Sequence, residues 1–220
     1  YYKKMNNMIE YKEGALPGDN VNDNTDNLLV FGEGWSYGIE FFIKKSIGKF
    51  TGWVGYTWAK SDRLFPDLNS GEIYPAKYDR RHDLSIVGSY KLNDRWNFST
   101  SFVYATGNTL TLPSSWYVQE QNLLFNYGSR NSTRMASYHR LDLSAIWYSK
   151  EYKSKTDVSG ETIRVKKKFK SNWAFSIYNV YNRANPFFLY VDNDGDFLSG
   201  DFKLTVKQVS LFPIIPSVTW

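Results

Sequence analysis

The stretch HDLSIVGSYKLNDRWNFSTSFVYAT (residues 82–106) alternates apolar and polar side chains on both sides of Asn93–Asp94. Asn and Asp favour tight turns, and successive side chains of a strand point to opposite faces. The stretch therefore predicts a two-faced β-hairpin, whose apolar face lies against either a protein core or lipid. The apolar face carries Leu84, Ile86, Tyr90, Leu92, Trp96, Phe98, Phe102 and Tyr104, and the polar face carries Asp83, Ser85, Ser89, Lys91, Arg95, Asn97, Ser99 and Ser101.

The same alternation recurs along the whole chain of 220 residues. It predicts an all-β protein, with no helix of useful length and with about eight strands. The predicted strands are 1–12, 34–45, 50–61, 80–92, 95–106, 139–152, 168–183 and 203–220.

The lengths of the connections between these strands follow a pattern. Residues 46–49 and 93–94 read as tight turns, whereas the connections at 13–33, 62–79, 107–138 and 184–202 are long and rich in Asn, Asp, Gly, Ser and Pro. The connection at 153–167 is longer than the other turns at its end of the strands, and it predicts an extended hairpin around Asp157–Gly160. Short turns at one end and long loops at the other are typical of outer-membrane barrels.

Aromatic side chains of the apolar faces concentrate near the strand ends. Amphipathic rings prefer the two interfaces of a bilayer, so these residues predict two aromatic girdles. A soluble core explains the alternation, but neither the girdles nor the loop lengths. The sequence thus predicts a transmembrane antiparallel up-and-down β-barrel segment, with short periplasmic turns and long extracellular loops. The girdle residues are Phe50, Tyr90, Trp96, Trp147 and Trp173 at the short-turn end, and Trp35, Tyr37, Trp58, Tyr104 and Tyr181 at the long-loop end.

Composition argues against several other classes of protein. The chain has no Cys and only two His, so no catalytic constellation and no cofactor site is predicted. The net charge of +5 is mild, and the basic run Lys166–Lys168 lacks base-stacking spacing, so no nucleic-acid partner is expected. No run approaches the roughly 18 apolar residues of a membrane helix.

Three polar motifs have a plain structural interpretation. His82 and Asp83 are adjacent on a strand and point to opposite faces, so we interpret them, like His139, as rim or lumen electrostatics. Spaced Asp residues at 192–201 resemble a calcium loop, but Phe197 and Lys203 stand where an EF-hand has Gly and Glu. Turn chemistry accounts for these acidic residues equally well, so no metal is predicted. The weak cation candidates are Asp192, Asp194 and Asp196.

Several segments, in order, resemble the C-terminal barrel of TonB-dependent outer-membrane receptors. They are GIEFFIKKSIGKFTGWVGYTWAKS (38–61), YDRRHDLSIVGSYKLNDRWNFSTSFVYATGN (78–108), YHRLDLS (138–144), YNVYNRANPF (178–187) and SLFPIIPSV (210–218). The resemblance spans nearly the whole chain, residues 1–220. The chain differs from the complete family pattern: it has no plug domain, no TonB box and too few strands. It also begins with Tyr1 rather than Met and stops at Trp220, which indicates a processed or fragmentary chain.

The resemblance implies part of a Gram-negative outer-membrane receptor that imports a scarce nutrient, such as a metal-chelate, cobalamin, a glycan or a peptide. TonB would act through the absent N-terminal plug, membrane lipid would surround the barrel, and the barrel-assembly machinery would take the C-terminal strand. The sequence does not identify the ligand. A different class of function stays open: eight antiparallel strands can close on their own, giving a complete small barrel that acts as a binding or adhesion protein.

Two segments are predicted to carry function within this framework. The longest connection, 107–138, presents aromatic residues among Ser and Asn and is predicted to contact or gate the ligand. The last strand alternates apolar residues and is predicted to be the assembly signal, with Pro213 and Pro216 at a bulge or an unpaired edge. The loop residues are Trp116, Tyr117, Phe125 and Tyr127, and the signal residues are Val209, Leu211, Ile215, Val218 and Trp220.

Overall fold

The computed structural model describes residues 1–15, 25–120, 122–156, 161–167, 169–195 and 201–220. In this part of the chain the residues form strands joined by turns, with two single-turn 3₁₀ helices at Thr25–Leu28 and Asn69–Gly71. The strands are β1 (Tyr2–Tyr11), β2 (Leu29–Lys45), β3 (Phe50–Leu64), β4 (Tyr74–Pro75), β5 (His82–Lys91), β6 (Trp96–Ala105), β7 (Thr109–Leu110), β8 (Pro113–Gln119), β9 (Asn122–Tyr127), β10 (Thr133–Arg134), β11 (Tyr138–Tyr148), β12 (Tyr152–Thr156), β13 (Thr162–Lys166), β14 (Asn172–Tyr178), β15 (Pro186–Asp194), β16 (Lys203–Ser210) and β17 (Ile215–Thr219).

Eight strands form one antiparallel meander in the order β1-β2-β3-β5-β6-β11-β14-β17, and the short β4 adds to the end of β3. This main sheet confirms the prediction of an all-β, antiparallel protein. Each strand pairs with the next strand of the path, as expected where alternating segments are joined by turns. The predicted hairpin at 82–106 is β5 and β6, with Tyr90 opposite Phe98 and Ile86 opposite Phe102.

The connections differ at the two ends of the main sheet. At one end, called here the short-turn end, residues 46–49 and 92–95 link β2 to β3 and β5 to β6. The hairpin predicted at 153–167 is also at this end, as β12 and β13; its predicted tip at 157–160 lies outside the described residues. The opposite end, called the long-loop end, holds the long connections, and these contain the β8–β9, β7–β10 and β15–β16 pairs.

The prediction of one C-terminal strand over 203–220 was wrong. Residues 203–210 form β16, which pairs with β15, and only β17 joins the main sheet beside β14. The break lies at Phe212, whose backbone is left-handed (φ 52°), followed by Pro213, which has no N–H to donate. Asn182 stabilises the break, because its side-chain oxygen accepts a 2.9 Å hydrogen bond from the Ile214 N–H.

The buried apolar cluster lies at the long-loop end, where β1, β2 and β4 meet the connection that follows β3. Val30, Phe65, Leu68 and Tyr74 are almost fully buried at the long-loop end, and Met8 packs against them. Many apolar side chains of the main sheet are exposed instead. None of the helices in the described part of the chain has the length and apolar character needed to span a bilayer.

Both edges of the main sheet are open among the described residues. There β1 pairs with β2 alone and β17 pairs with β14 alone. Pro216 therefore lies on an edge strand, opposite Ile177, which agrees with the expectation that prolines avoid central positions.

Candidate functional site

The apolar face of the main sheet, called here the outer face, is a continuous surface. Val54, Ile86, Phe102 and Leu141 lie directly opposite one another across four neighbouring strands. On β2, Ile43 exposes 74% of its surface. Contiguous exposed apolar surface is unfavourable in water, so this face is a candidate contact surface.

Four tryptophans border the outer face at the short-turn end. Trp96 lies opposite Trp147, and Trp147 lies opposite Trp173. The ring of Trp220 is 6.4 Å from that of Trp173, centroid to centroid. We call these four residues the tryptophan row.

At the long-loop end the outer face carries two His–Tyr pairs. The Tyr56 hydroxyl is 2.8 Å from Nδ1 of His82, and the Tyr181 hydroxyl is 2.8 Å from Nδ1 of His139. Tyr104 stacks beside His139 at 6.4 Å, and burial raises the pKa of Tyr181. The two imidazole rings thus pack as aromatic partners among the tyrosine rings at the long-loop end.

The placement of the histidines refines the sequence interpretation. His82 lies opposite Trp58 while Asp83 lies opposite Thr57, so the two side chains point to different faces, as strand alternation predicts. Both imidazoles lie among the rings of the outer face at the long-loop end, which is compatible with the predicted rim position and not with a position on the inner face. All ten residues predicted as girdle members lie on this face: Trp35, Tyr37, Phe50, Trp58, Tyr90, Trp96, Tyr104, Trp147, Trp173 and Tyr181.

The opposite face, called the inner face, carries an Arg–Asp–Tyr network that sequence reasoning missed. Arg140 donates to the Asp142 carboxylate at 3.0 Å and to the Tyr178 hydroxyl at 2.7 Å, and its guanidinium lies 4.1 Å from the centroid of the Tyr178 ring. The Asn179 N–H donates to the other Asp142 oxygen at 2.9 Å. Charges on the polar face of YHRLDL were the available signal, but the tyrosine partner comes from another strand.

A buried carboxylate organises the long connections. Asp79 is 2% exposed and accepts hydrogen bonds from Arg134 Nη2 (2.6 Å) and the Ser61 N–H (2.7 Å), with Arg81 Nη2 at 3.4 Å. Arg134 also donates to the Gly107 carbonyl at 2.8 Å. These contacts join the connection 65–81 to residues 106–112 and 128–137 of the next long connection, and we call this unit the loop cap.

The NVYNRAN segment follows β14 and contacts β11. Asn179 is 1% exposed with φ 54°, and its amide donates to the carbonyls of Arg183 and Phe212. Asn185 both accepts from the His139 N–H and donates to the His139 carbonyl, each at 2.9 Å. Asn and Asp tolerate left-handed backbone better than other non-glycine residues, which explains the Asn-rich composition of this turn.

The aromatic residues of the predicted ligand loop lie on the β8–β9 hairpin. Trp116 is opposite Phe125, and Tyr127 shares their face, whereas Tyr117 points to the other side. Trp116 makes an edge contact with Phe202 at 4.7 Å. The structure therefore brings three of the four predicted residues to one face, and this face touches the β15–β16 region.

The acidic segment at the end of β15 contains an ion pair. Lys207 contacts the Asp192 carboxylate and lies 3.9 Å from that of Asp194. The hydrogen bond from Lys207 lowers the pKa of Asp192. Asp196 lies outside the described residues, and within the described ranges no three His, Cys, Asp or Glu side chains are placed to hold a metal ion.

The predicted assembly-signal residues do not share one strand. Val209 is on β16 opposite Phe188, and Leu211 is in the break. On β17, Val218 lies opposite Phe175 on the outer face, and Ile215 lies opposite Tyr178 on the inner face. Trp220 follows and continues the tryptophan row.

Comparisons with protein families, with curated proteins and with solved structures returned no match for this chain.

Proposed function

We propose that the chain is part of the wall and extracellular loops of a TonB-dependent receptor in the outer membrane of a Gram-negative bacterium. Membrane lipid covers the outer face. The short-turn end faces the periplasm and the long-loop end faces the exterior. The receptor imports a scarce nutrient of the metal-chelate, cobalamin, glycan or peptide type.

The observation that carries this proposal is the outer face. It is apolar over neighbouring strands, exposed, and bordered by aromatic rings at both ends. Lipid-facing surfaces of outer-membrane barrels have an apolar band between two aromatic girdles. A soluble β-sheet protein buries such a face against a second layer, whereas the buried apolar cluster of the described residues is confined to the long-loop end.

The open edges favour a segment of a larger barrel over a complete small one. In hydrocarbon each unpaired backbone N–H or C=O costs several kcal/mol, so spanning sheets close. Additional strands of the receptor pair with β1 and β17 under this proposal. The alternative, a closed eight-stranded binding or adhesion protein, instead requires β1 to pair with β17.

The remaining partners follow from the same proposal. TonB acts through a plug domain outside the chain described. The barrel-assembly machinery recognises the C-terminal strand, where Val218 and Trp220 present an apolar, aromatic edge. The β8–β9 hairpin contacts the nutrient on the outside. The proposal assigns the chain transport, not catalysis.

Refolding of the 220-residue chain into detergent micelles tests these alternatives. A receptor segment leaves two edges unpaired, so we expect aggregation and complete digestion by protease. A heat-modifiable, protease-resistant monomer would instead support the closed small barrel. Solubility without detergent, as a folded monomer, would contradict both.

A further inference from the structure

Charge is distributed unequally between the two ends of the main sheet. The described residues of the short-turn end are 44–49, 91–95, 148–156, 161–167 and 169–171, and they contain 12 Lys and Arg but 3 Asp and Glu. Their formal charge is +9, whereas that of the whole chain is +5. The remainder of the chain therefore has a formal charge of −4, and the excess of positive charge is at the short-turn end.

An open cleft of about 680 Å³ lies at this end, between the 92–95 turn and the β12–β13 hairpin. Its cationic lining residues outnumber its acidic ones. Both acidic lining residues are already paired: Lys91 is 2.9 Å from Asp94, and Lys170 is 3.0 Å from Glu151. The cationic lining residues are Arg95, Lys150, Lys153, Arg164 and Lys170.

Three cations of the cleft have no carboxylate partner in the part of the chain that the structure describes. Lys150, Lys153 and Arg164 are exposed and are within ion-pair distance of no described Asp or Glu. Lys170 and Lys166 share Glu151, and the hydrogen bond from Lys170 is the main cause that lowers the pKa of that carboxyl. The cleft therefore offers positive charge for an external anion.

The cleft adjoins the tryptophan row. The Arg95 guanidinium lies 4.8 Å from the centroid of the Trp147 ring, and Lys150 follows Trp147 by three residues. Three extended residues span about 10 Å. Since interfacial tryptophans sit at the level of the lipid headgroups, this spacing places Lys150 near that level under the proposed function.

The β12–β13 hairpin adds an amphipathic face. Lys153 lies opposite Val165, and Lys155 lies opposite Ile163, so two lysines and two β-branched apolar residues share one face. Ile163 is 43% exposed. Lysine side chains can keep their charge in water while apolar neighbours enter an interface, which is the pattern expected of a surface that rests on a membrane.

We propose that the β12–β13 hairpin and the adjoining cleft bind anionic phospholipid headgroups in the leaflet at the short-turn end. Lys150 and Lys153 contact the phosphodiester groups beside Ile163 and Val165, which enter the interface, and Arg164 adds positive charge from the other face of the hairpin. This inference rests on the proposed membrane location of the outer face. Anionic lipids attract basic residues near the surface, and the charge distribution gives the two ends of the barrel different lipid preferences.

Quenching of tryptophan fluorescence by brominated lipids tests the proposal on the full receptor reconstituted in vesicles. The probes are dibromo-phosphatidylglycerol and dibromo-phosphatidylcholine, compared at equal mole fraction. For one basic residue in contact with a headgroup, we expect dibromo-phosphatidylglycerol to bind about fivefold more tightly than dibromo-phosphatidylcholine. It should therefore quench the tryptophans more strongly at equal mole fraction. Equal quenching by the two lipids would overturn the proposal.

Matched variants locate the effect. Lys150→Gln/Lys153→Gln/Arg164→Gln should abolish the preference, and the charge-conserving Lys150→Arg/Lys153→Arg/Arg164→Lys should retain it. A triple variant at the long-loop end with the same loss of charge should keep the wild-type preference. That control is Lys12→Gln/Lys77→Gln/Lys203→Gln. A preference retained by the first variant would contradict the assignment.

Two further measurements distinguish a lipid site from a phosphate site and from a protein outside the membrane. Inorganic phosphate at constant ionic strength should leave the lipid preference unchanged; if phosphate abolishes it, the cleft is a phosphate site and the lipid proposal is wrong. If neither brominated lipid quenches the wild-type protein, its tryptophans do not contact lipid, and the proposed function itself fails. Quenching by both lipids without preference leaves the proposed function standing and overturns this inference alone.

Discussion

Arg134 donates a 2.6 Å hydrogen bond to the carboxylate of Asp79, although the two residues are 55 positions apart in the chain. Asp79 is buried, and the Ser61 N–H and Arg81 share its carboxylate. This contact ties the loop cap to the end of β3. Because the loop cap carries the base of the β8–β9 hairpin, it positions the proposed ligand-contacting surface.

Replacing Asp79 should loosen the loop cap without disrupting the main sheet. Asp79→Ala leaves Arg134 and the Ser61 N–H without their acceptor, and removal of one partner of a buried pair costs about 3 kcal/mol. We expect faster hydrogen exchange in 65–81 and 130–137 and unchanged exchange in β5 and β6. Asp67→Ala, at an exposed position of the same connection, is the control. Equal exchange in both variants would show that the ion pair does not hold the loop cap.

A charge on the outer face should destabilise the protein in a bilayer. Ile86 lies opposite Val54 and Phe102, and Arg near the bilayer midplane costs about 2–4 kcal/mol on a lipid-facing strand position. The measurement is the free energy of unfolding of the full receptor carrying Ile86→Arg, and in a second position Phe102→Arg, in lipid vesicles. Ser85→Arg and Ser101→Arg, on the inner face of the same strands, are the controls. If these controls cost as much, the assignment of faces is wrong.

The end of β17 should be required for membrane insertion. Trp220 extends the tryptophan row beside Trp173, and a carboxylate at this position is unfavourable at the aromatic interface. Trp220→Asp should therefore lower the surface level of the receptor several-fold, as measured by surface labelling and by its periplasmic degradation. Thr219→Asp, one residue earlier and on the inner face, should insert normally. Normal surface levels of Trp220→Asp would contradict the assembly role.

The β8–β9 hairpin should matter for nutrient capture and not for assembly. Replacing residues 113–127 with a short Gly–Ser linker removes Trp116, Phe125 and Tyr127 and keeps the β7–β10 pair at the base of the loop. We expect uptake to fall at least about tenfold, because stacking rings are lost, with heat modifiability unchanged. Equivalent removal of residues 152–166 at the opposite end should leave nutrient capture intact. Unchanged uptake after removal of the β8–β9 hairpin would exclude that surface.

The sequence by itself determined the local properties of this protein. Period-two alternation sorted Ile86 and Ser85 onto different faces, and the Asn93–Asp94 dipeptide placed the turn between β5 and β6. The tight turn at 46–49 followed in the same way. Strand alternation and turn conformation depend on neighbouring residues, so a single sequence contains the necessary information.

Only the tertiary structure decided which strands pair at the long-loop end. Residues 203–210 alternate like any strand of the main sheet, yet they pair with β15, because the left-handed Phe212 and Pro213 separate them from β17. The loop cap and the Arg140–Tyr178 contact were likewise missing from the sequence prediction. Their partners are 38 to 55 residues apart, and a buried hydrogen bond between distant residues leaves no periodic signal in the chain.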